Sequence, residues 1–121
     1  MSAGIESRFS EQVERYLDLA TSEAKLTAAN MANIDTPGYR AVGMDFESEM
    51  SDALNGIDNG LPAKPVAVQL EDGLIARPDG NNVSLDREGL NLAEAQLRFK
   101  TGVALLRQEY QRVMDAIHTD K

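Results

Sequence analysis

Asn30-Met31-Ala32-Asn33-Ile34-Asp35-Thr36-Pro37-Gly38-Tyr39-Arg40 ends one kind of chain and begins another. Asn33 and Asp35 offer side-chain partners to backbone groups that a helix would otherwise use, so they break it. Thr36-Pro37-Gly38-Tyr39 has the composition of a type II turn: proline presets φ at the second position and glycine supplies the positive φ needed at the third. The stretch therefore predicts a long helix that stops hard and a chain that turns sharply away.

Upstream, from about Ser10 to Ile34, there is no Pro or Gly and good helix formers dominate. Apolar or small residues fall at Val13, Leu17, Ala20, Ala24, Thr27, Met31 and Ile34. Steps of four and three alternate between them, which is a heptad seam. Such a helix would be roughly 38 Å long at 1.5 Å per residue.

Downstream the material changes. All four prolines lie between residues 35 and 83, among the turn signals Asn55-Gly56, Asn59-Gly60, Asp72-Gly73 and Asp79-Gly80. Within this middle, Asp45 to Leu54 predicts a short helix, with Phe46, Met50 and Leu54 on one face and Asn55-Gly56 ending it. Val66–Leu70 and Leu74–Arg77 flank Glu71-Asp72-Gly73 as a small hairpin.

A second long helix is expected from Leu85 to His118. Ser84 suits its N-cap, and Asp86 and Glu88 complement the dipole of its first turn. Its seam pairs Leu92, Phe99, Leu106 and Val113 with Gln96, Val103, Tyr110 and Ile117. Gln96 either pins a register or is a tolerated polar residue. Both helices also carry a second apolar stripe, Leu19 and Leu26 on the first and Leu90, Leu97 and Ala104 on the second. A lone helical hairpin needs one apolar face per helix. Two faces call for neighbouring molecules, or for a middle segment that folds back over the second stripe.

Composition narrows the function. Twenty acidic residues against twelve basic ones leave a net charge of −8. That balance argues against nucleic acid and against an anionic membrane surface. Without cysteine there is neither a disulfide framework nor a thiolate metal site. The first ten residues hold no apolar run, so no cleavable secretory signal is expected, and no stretch approaches membrane-span length. The single histidine, His118, sits near the carboxyl end and is expected on the surface. Asp45, Glu47, Glu49 and Asp52 lack the ligand alternation of a calcium loop and are expected to be a solvated face. The sequence contains no phosphate loop and no Ser/His/Asp set. No catalytic, cofactor-binding or metal residue is assigned, and neither a cofactor nor a small-molecule ligand is expected.

The run from Ala29 to Ala41 resembles the signature of the rod, hook and hook-associated axial proteins of the bacterial flagellum. In that family Asn-x-Ala-Asn closes the N-terminal helix and leads into Thr-Pro-Gly-Tyr, here Asn30, Ala32, Asn33, Thr36, Pro37, Gly38 and Tyr39, with Asp35 between. Asp45-Phe46-Glu47, and the stretch from Asp79 to Glu88 leading into Ala93-Glu94-Ala95-Gln96-Leu97-Arg98-Phe99, narrow the resemblance to the proximal-rod FlgB family. Sister rod proteins tend to show Gln-Arg-Ala-Tyr where this chain has Gln96-Leu97-Arg98-Phe99. The likeness covers most of the chain; residues 56–77 match nothing in it.

The resemblance implies a mainly α protein whose N- and C-terminal helices form an antiparallel coiled-coil-like pair around an irregular middle. Residues 1–34, 35–84 and 85–121 would be the parts of one domain. Val13, Leu17, Met31, Ile34, Leu92, Gln96, Phe99, Val103, Leu106, Tyr110, Val113 and Ile117 would form the assembly seam. It further implies export through the flagellar type III apparatus without a cleaved signal. Partners would be copies of the chain, other rod subunits, and the export gate and membrane-ring adaptor at the rod base. The role would be torque transmission around an export channel, not catalysis. Another axial subunit, and a small helical adaptor or export chaperone, remain as alternatives.

Overall fold

The computed structural model describes residues 7–118. Residues 1–6 and 119–121, the outer ends of the two expected helical segments, lie outside the described residues. The elements run α1 (Ser7–Ala32), β1 (Val42–Gly43), α2 (Phe46–Asp58), β2 (Gln69–Leu70) and α3 (Leu85–His118). No helix among the described residues is long and apolar enough to cross a membrane.

The two long helices are antiparallel. Leu17 of α1 meets Gly102 of α3, Glu23 meets Arg98, and the Asn33 carbonyl meets Asn81 just ahead of α3. The start of α3 is capped as its sequence predicts: the Arg87 N–H donates to Ser84 Oγ at 3.2 Å. At the other end, α1 stops at Ala32. The Asn33 N–H is shared between the Ala29 and Asn30 carbonyls at 3.1 Å each, while its side-chain amide also donates to Ala29 at 2.8 Å. That side chain competes for a carbonyl the next helical turn would share.

The line of contact between the helices is made of small and polar residues. On α3 the buried positions are Glu88, Ala95, Gly102 and Glu109, one per heptad. On α1 they include Val13, Ala20 and Thr27, again one per heptad. Around these lines Leu17, Ala24, Met31, Ile34, Leu92, Val103, Leu106 and Val113 are half-buried, whereas Gln96, Phe99, Tyr110 and Ile117 are exposed. Gly102 explains the arrangement. A Cβ there would lie 2.5 Å from Leu17 Cδ2 and 2.9 Å from Leu17 Cγ, so this crossing has no room for a side chain.

A second core forms where α2 crosses α1. Phe46, Leu19 and Ala20 are buried together, with Tyr16, Met44, Met50 and Val66 packed around them. The Tyr16 ring meets Phe46 edge-on at 5.5 Å between centroids. Arg98 reaches across from α3, its guanidinium 4.0 Å from the Phe46 ring centre and its Nη1 2.7 Å from both Glu23 carboxylate oxygens. One side chain thus links three helices. The middle segment covers part of the second stripe of α1, at Leu19, while Leu90 and Leu97 of α3 stay in solvent.

Two details of the middle differ from the sequence reading. First, α2 runs through Asn55-Gly56 to Asp58 and ends at Asn59-Gly60. Gly60 has φ +68°, the Leu61 N–H donates to the Gly56 carbonyl at 2.8 Å, and the Gly60 N–H donates to Ile57 at 3.2 Å. That is a Schellman ending, which the second Asn-Gly supplies and the first does not. Second, β2 pairs antiparallel with β1, Val42 opposite Leu70, and not with residues 74–77. The latter are drawn elsewhere: the Arg77 N–H donates to the Asn81 carbonyl at 2.8 Å.

Replacing Gly102 by Leu should destabilise the fold by about 1–3 kcal/mol, because the inserted side chain overpacks the crossing. Urea unfolding should then show partial recovery when Leu17→Ala is added, since the clash is with that residue. Equal losses with and without Leu17→Ala would refute the close-crossing account.

Candidate functional site

The residues of the 30–40 stretch come together with residues 77–83 in a polar clasp at one end of the helix pair. Its centre is Asn30, whose side chain is fully buried. Nδ2 donates to the Val42 carbonyl at 2.8 Å, and Oδ1 accepts the Val42 N–H at 3.0 Å and the Tyr39 hydroxyl at 3.1 Å. An amide side chain on α1 therefore pairs with Val42 as a neighbouring strand would. The other edge of β1 stays available to β2, and the Glu71 N–H donates to Ala41 there at 3.0 Å.

Thr36 to Tyr39 forms the expected reverse turn. The Tyr39 N–H donates to the Thr36 carbonyl at 3.2 Å, and Gly38 has φ +79°. The Thr36 hydroxyl donates to Asn33 Oδ1 at 3.0 Å, tying the turn to the helix end. Ala32, Asp35, Pro37 and Gly38 are exposed, so this half of the stretch shapes the backbone more than it fills a core.

The opposing half of the clasp comes from two adjacent asparagines, both buried. Asn81 Nδ2 donates to the Asn33 and Thr36 carbonyls at 2.8 and 2.9 Å, and its Oδ1 accepts the Val83 N–H at 2.8 Å. Asn82 Oδ1 accepts the Ala41 N–H at 2.6 Å. The Arg77 guanidinium donates to the carbonyls of Ile34 and Val83. Gly80, at φ +90°, approaches so closely that a Cβ on it would lie 3.3 Å from Gly38 Cα. Arg77, Asn81 and Asn82 were not singled out as site residues from sequence. Their only local signal is a pair of asparagines behind Asp79-Gly80, and the groups they bind on the 33–41 stretch lie more than 40 positions away.

The remaining candidate surfaces are two exposed sides of α3, one carrying Leu90 and Leu97 and the other Phe99, Tyr110, Met114 and Ile117. Leu90, Leu97, Phe99, Tyr110, Met114 and Ile117 are each between 46% and 66% exposed. So much large apolar area on one helix marks an interaction face. The acidic side chains near α2 are used in the fold: Asp45 caps its N-terminus through the Ser48 N–H at 3.1 Å, Glu49 accepts the Ala67 N–H at 3.1 Å, and Asp52 pairs with Lys64 at 3.2 Å. His118 is exposed. No group of three or more His, Cys, Asp or Glu among the described residues is placed to hold a metal.

One electrostatic feature stands apart. Glu88 is fully buried at the start of α3, and neither of its carboxylate oxygens has a hydrogen-bond partner. Glu71 lies close by, and its Oε1 is buried without a hydrogen bond, 3.8 Å from Arg87 Nε. Burial raises the pKa of Glu71 above the ordinary carboxylate range, the negative charge of Glu88 raises it further, and Arg87 opposes both.

No protein-family model matches the chain. Curated relatives do, along nearly its whole length. The flagellar basal body rod protein FlgB of Salmonella typhimurium is 30% identical over 86% of this chain and 88% of its own length. The FlgB proteins of Cereibacter sphaeroides and Escherichia coli K12 are 32% and 28% identical, over 84% and 88% of this chain and 87% and 90% of their own lengths.

Asn30→Ala would leave the Val42 N–H and C=O without partners in a partly buried place, so urea unfolding should register a loss on the order of 1–3 kcal/mol. A loss below 0.5 kcal/mol would mean that the clasp does not hold the fold. A second expectation concerns pH. The folded state holds the Glu71 proton more tightly than the unfolded chain, so this group's contribution weakens as pH rises from the ordinary carboxylate range through its raised pKa. Glu71→Gln should raise the urea midpoint at pH 7 and flatten its dependence between pH 4 and 7. An unchanged pH profile would contradict the assignment.

Proposed function

The chain belongs to the FlgB family of flagellar basal body rod proteins, and on that premise we propose how it serves the rod. It is a structural subunit of the proximal rod, part of the shaft that transmits torque and surrounds the export channel. Residues 1–34 and 85–121 act as the axial helices, and residues 35–84 form the flank that fastens one helix to the other. The chain carries out no reaction and needs no cofactor. It reaches its place through the flagellar type III apparatus. There it packs against copies of itself, other rod subunits, and the export gate and ring adaptor at the rod base.

The observation that carries this reading is the division of labour on α3. Its buried line of Glu88, Ala95, Gly102 and Glu109 is turned inside the chain, while Phe99, Tyr110 and Ile117 of the expected seam are exposed on one side of the helix and Leu90 and Leu97 on another. A helix pair that leaves so many large apolar side chains of one helix in solvent is built to be covered by other subunits. The clasp supports the same role, because torque passes between the two helices only if their ends are held in register.

Leu97→Glu combined with Tyr110→Glu places charge on both exposed sides of α3 without touching the intramolecular contact. The purified variant should keep its helical circular dichroism and unfold within about 1 kcal/mol of the parent, since exposed substitutions are individually mild. Cells carrying it should form no rods and fail to swim, whereas Gln108→Glu should leave motility intact. Normal swimming by the double variant would overturn the proposal.

A further inference from the structure

Between α1, the β1–β2 sheet and the first turn of α3 lies a groove of about 270 Å³, whose lining includes Glu23, Leu26, Leu70, Glu71, Asp72 and Arg87. Its charges do not balance. Glu23 is taken up by Arg98 at 2.7 Å. The Glu71 side chain is only 10% exposed, with its Oε1 free of hydrogen bonds and 3.8 Å from Arg87 Nε. Glu88 adds a second, fully buried carboxylate with two unpartnered oxygens. Among the described residues, a single arginine at ion-pair distance from one of them is the only basic side chain lining the groove.

Buried carboxylates without hydrogen-bond donors are among the costliest groups a fold can keep. A protein with no use for them would lose little by carrying glutamine there. The groove also has an apolar wall, since Leu70 is 55% exposed and Leu26 half-buried beside it. An acidic floor beside apolar walls is the negative image of a lysine or arginine side chain, with its aliphatic stem and cationic head.

We propose that this groove receives a basic side chain from a neighbouring subunit of the rod, the stem lying on Leu26 and Leu70 and the charged head meeting Glu71. The proposal rests on the rod reading above and adds a specificity contact to it. Glu88 does not line the groove, but its charge acts on Glu71 and deepens the negative potential that draws the head in. Inside one molecule the two carboxylates oppose folding. In the assembly they are what the neighbour is recognised by.

The experiment uses the full chain with Glu71→Gln, Glu88→Gln and Glu71→Asp. Each glutamine variant should raise the urea midpoint of the isolated chain at pH 7. Each should also lower the yield of basal bodies with a complete rod at least tenfold. Glu71→Asp, which keeps the charge, should retain most of that yield. Normal rod yield in both glutamine variants would overturn the proposal, including the case in which the carboxylates are merely hydrated. A lowered urea midpoint would overturn it too, because the carboxylates would then be satisfied within the chain. So would Glu71→Asp failing as badly as Glu71→Gln, because charge would not be what matters. If the Leu97→Glu, Tyr110→Glu variant builds rods, the rod reading itself fails. If that variant fails to build them while Glu71→Gln succeeds, only the groove proposal falls.

Discussion

A buried amide must find partners for its N–H groups and its carbonyl, and at Asn30 that demand organises the rest of the chain. The nearest groups that can meet it are the backbone N–H and carbonyl of Val42, so the chain must reverse within a few residues of leaving α1. The Thr36–Tyr39 turn performs the reversal. Once Val42 is pinned to α1, its strand offers its other edge to Gln69–Leu70, and Phe46 is delivered to the face of α1 that carries Leu19. Asn81 and Asn82 extend the same logic to the far side. They hold the turn to the residues just before α3, which sets where that helix begins relative to the end of α1. The clasp, more than the helix seam, therefore sets the longitudinal register of the pair.

That register has a consequence for the surface. It brings Gly102 opposite Leu17, and only a residue without a side chain fits there. With Gly102 facing α1, Phe99, Tyr110 and Ile117 fall outside the contact. The helix pair is thus held by clasp, ion pair and close contact at Gly102, and Leu90, Leu97, Phe99 and Tyr110 of α3 stay available to other molecules. Arg98 works in the same economy of contacts: its guanidinium serves Glu23 and the Phe46 ring together, coupling α2 to both long helices. In a subunit whose task is to hold and be held, the strongest directional contacts lie inside and the broad apolar ones outside.

The acidic character of the chain is also spatially divided. Around α2 the carboxylates serve the fold: Asp45 caps the helix, Glu49 accepts a backbone N–H and Asp52 pairs with Lys64 at the surface. Glu109 is buried but paired with Arg112 at 2.7 Å. Glu71 and Glu88 are the exceptions, brought together from β2's end and α3's first turn with too little positive charge between them. An imbalance of this kind is local and specific, and it sits in a groove that reaches solvent.

Much of the fold was legible from residue order. The Pro-free run before Asn33, the turn composition at 36–39, Ser84 as a cap and the span of α3 all depend on contacts within a few residues, and the structure has them where local chemistry puts them. The end of α2 was misplaced because two Asn-Gly pairs compete, and the choice of the second depends on Leu61 returning to Gly56. The partner of β2 was misplaced because Asn30, far away in sequence, presents β1 to it. For the assembly surface, heptad spacing identified apolar lines on α3 but not which of them would turn inward. Periodicity measures the angle between residues on one helix. Which angle faces the partner is settled by how closely the two backbones approach, and Gly102 against Leu17 decides that only once both helices are in place.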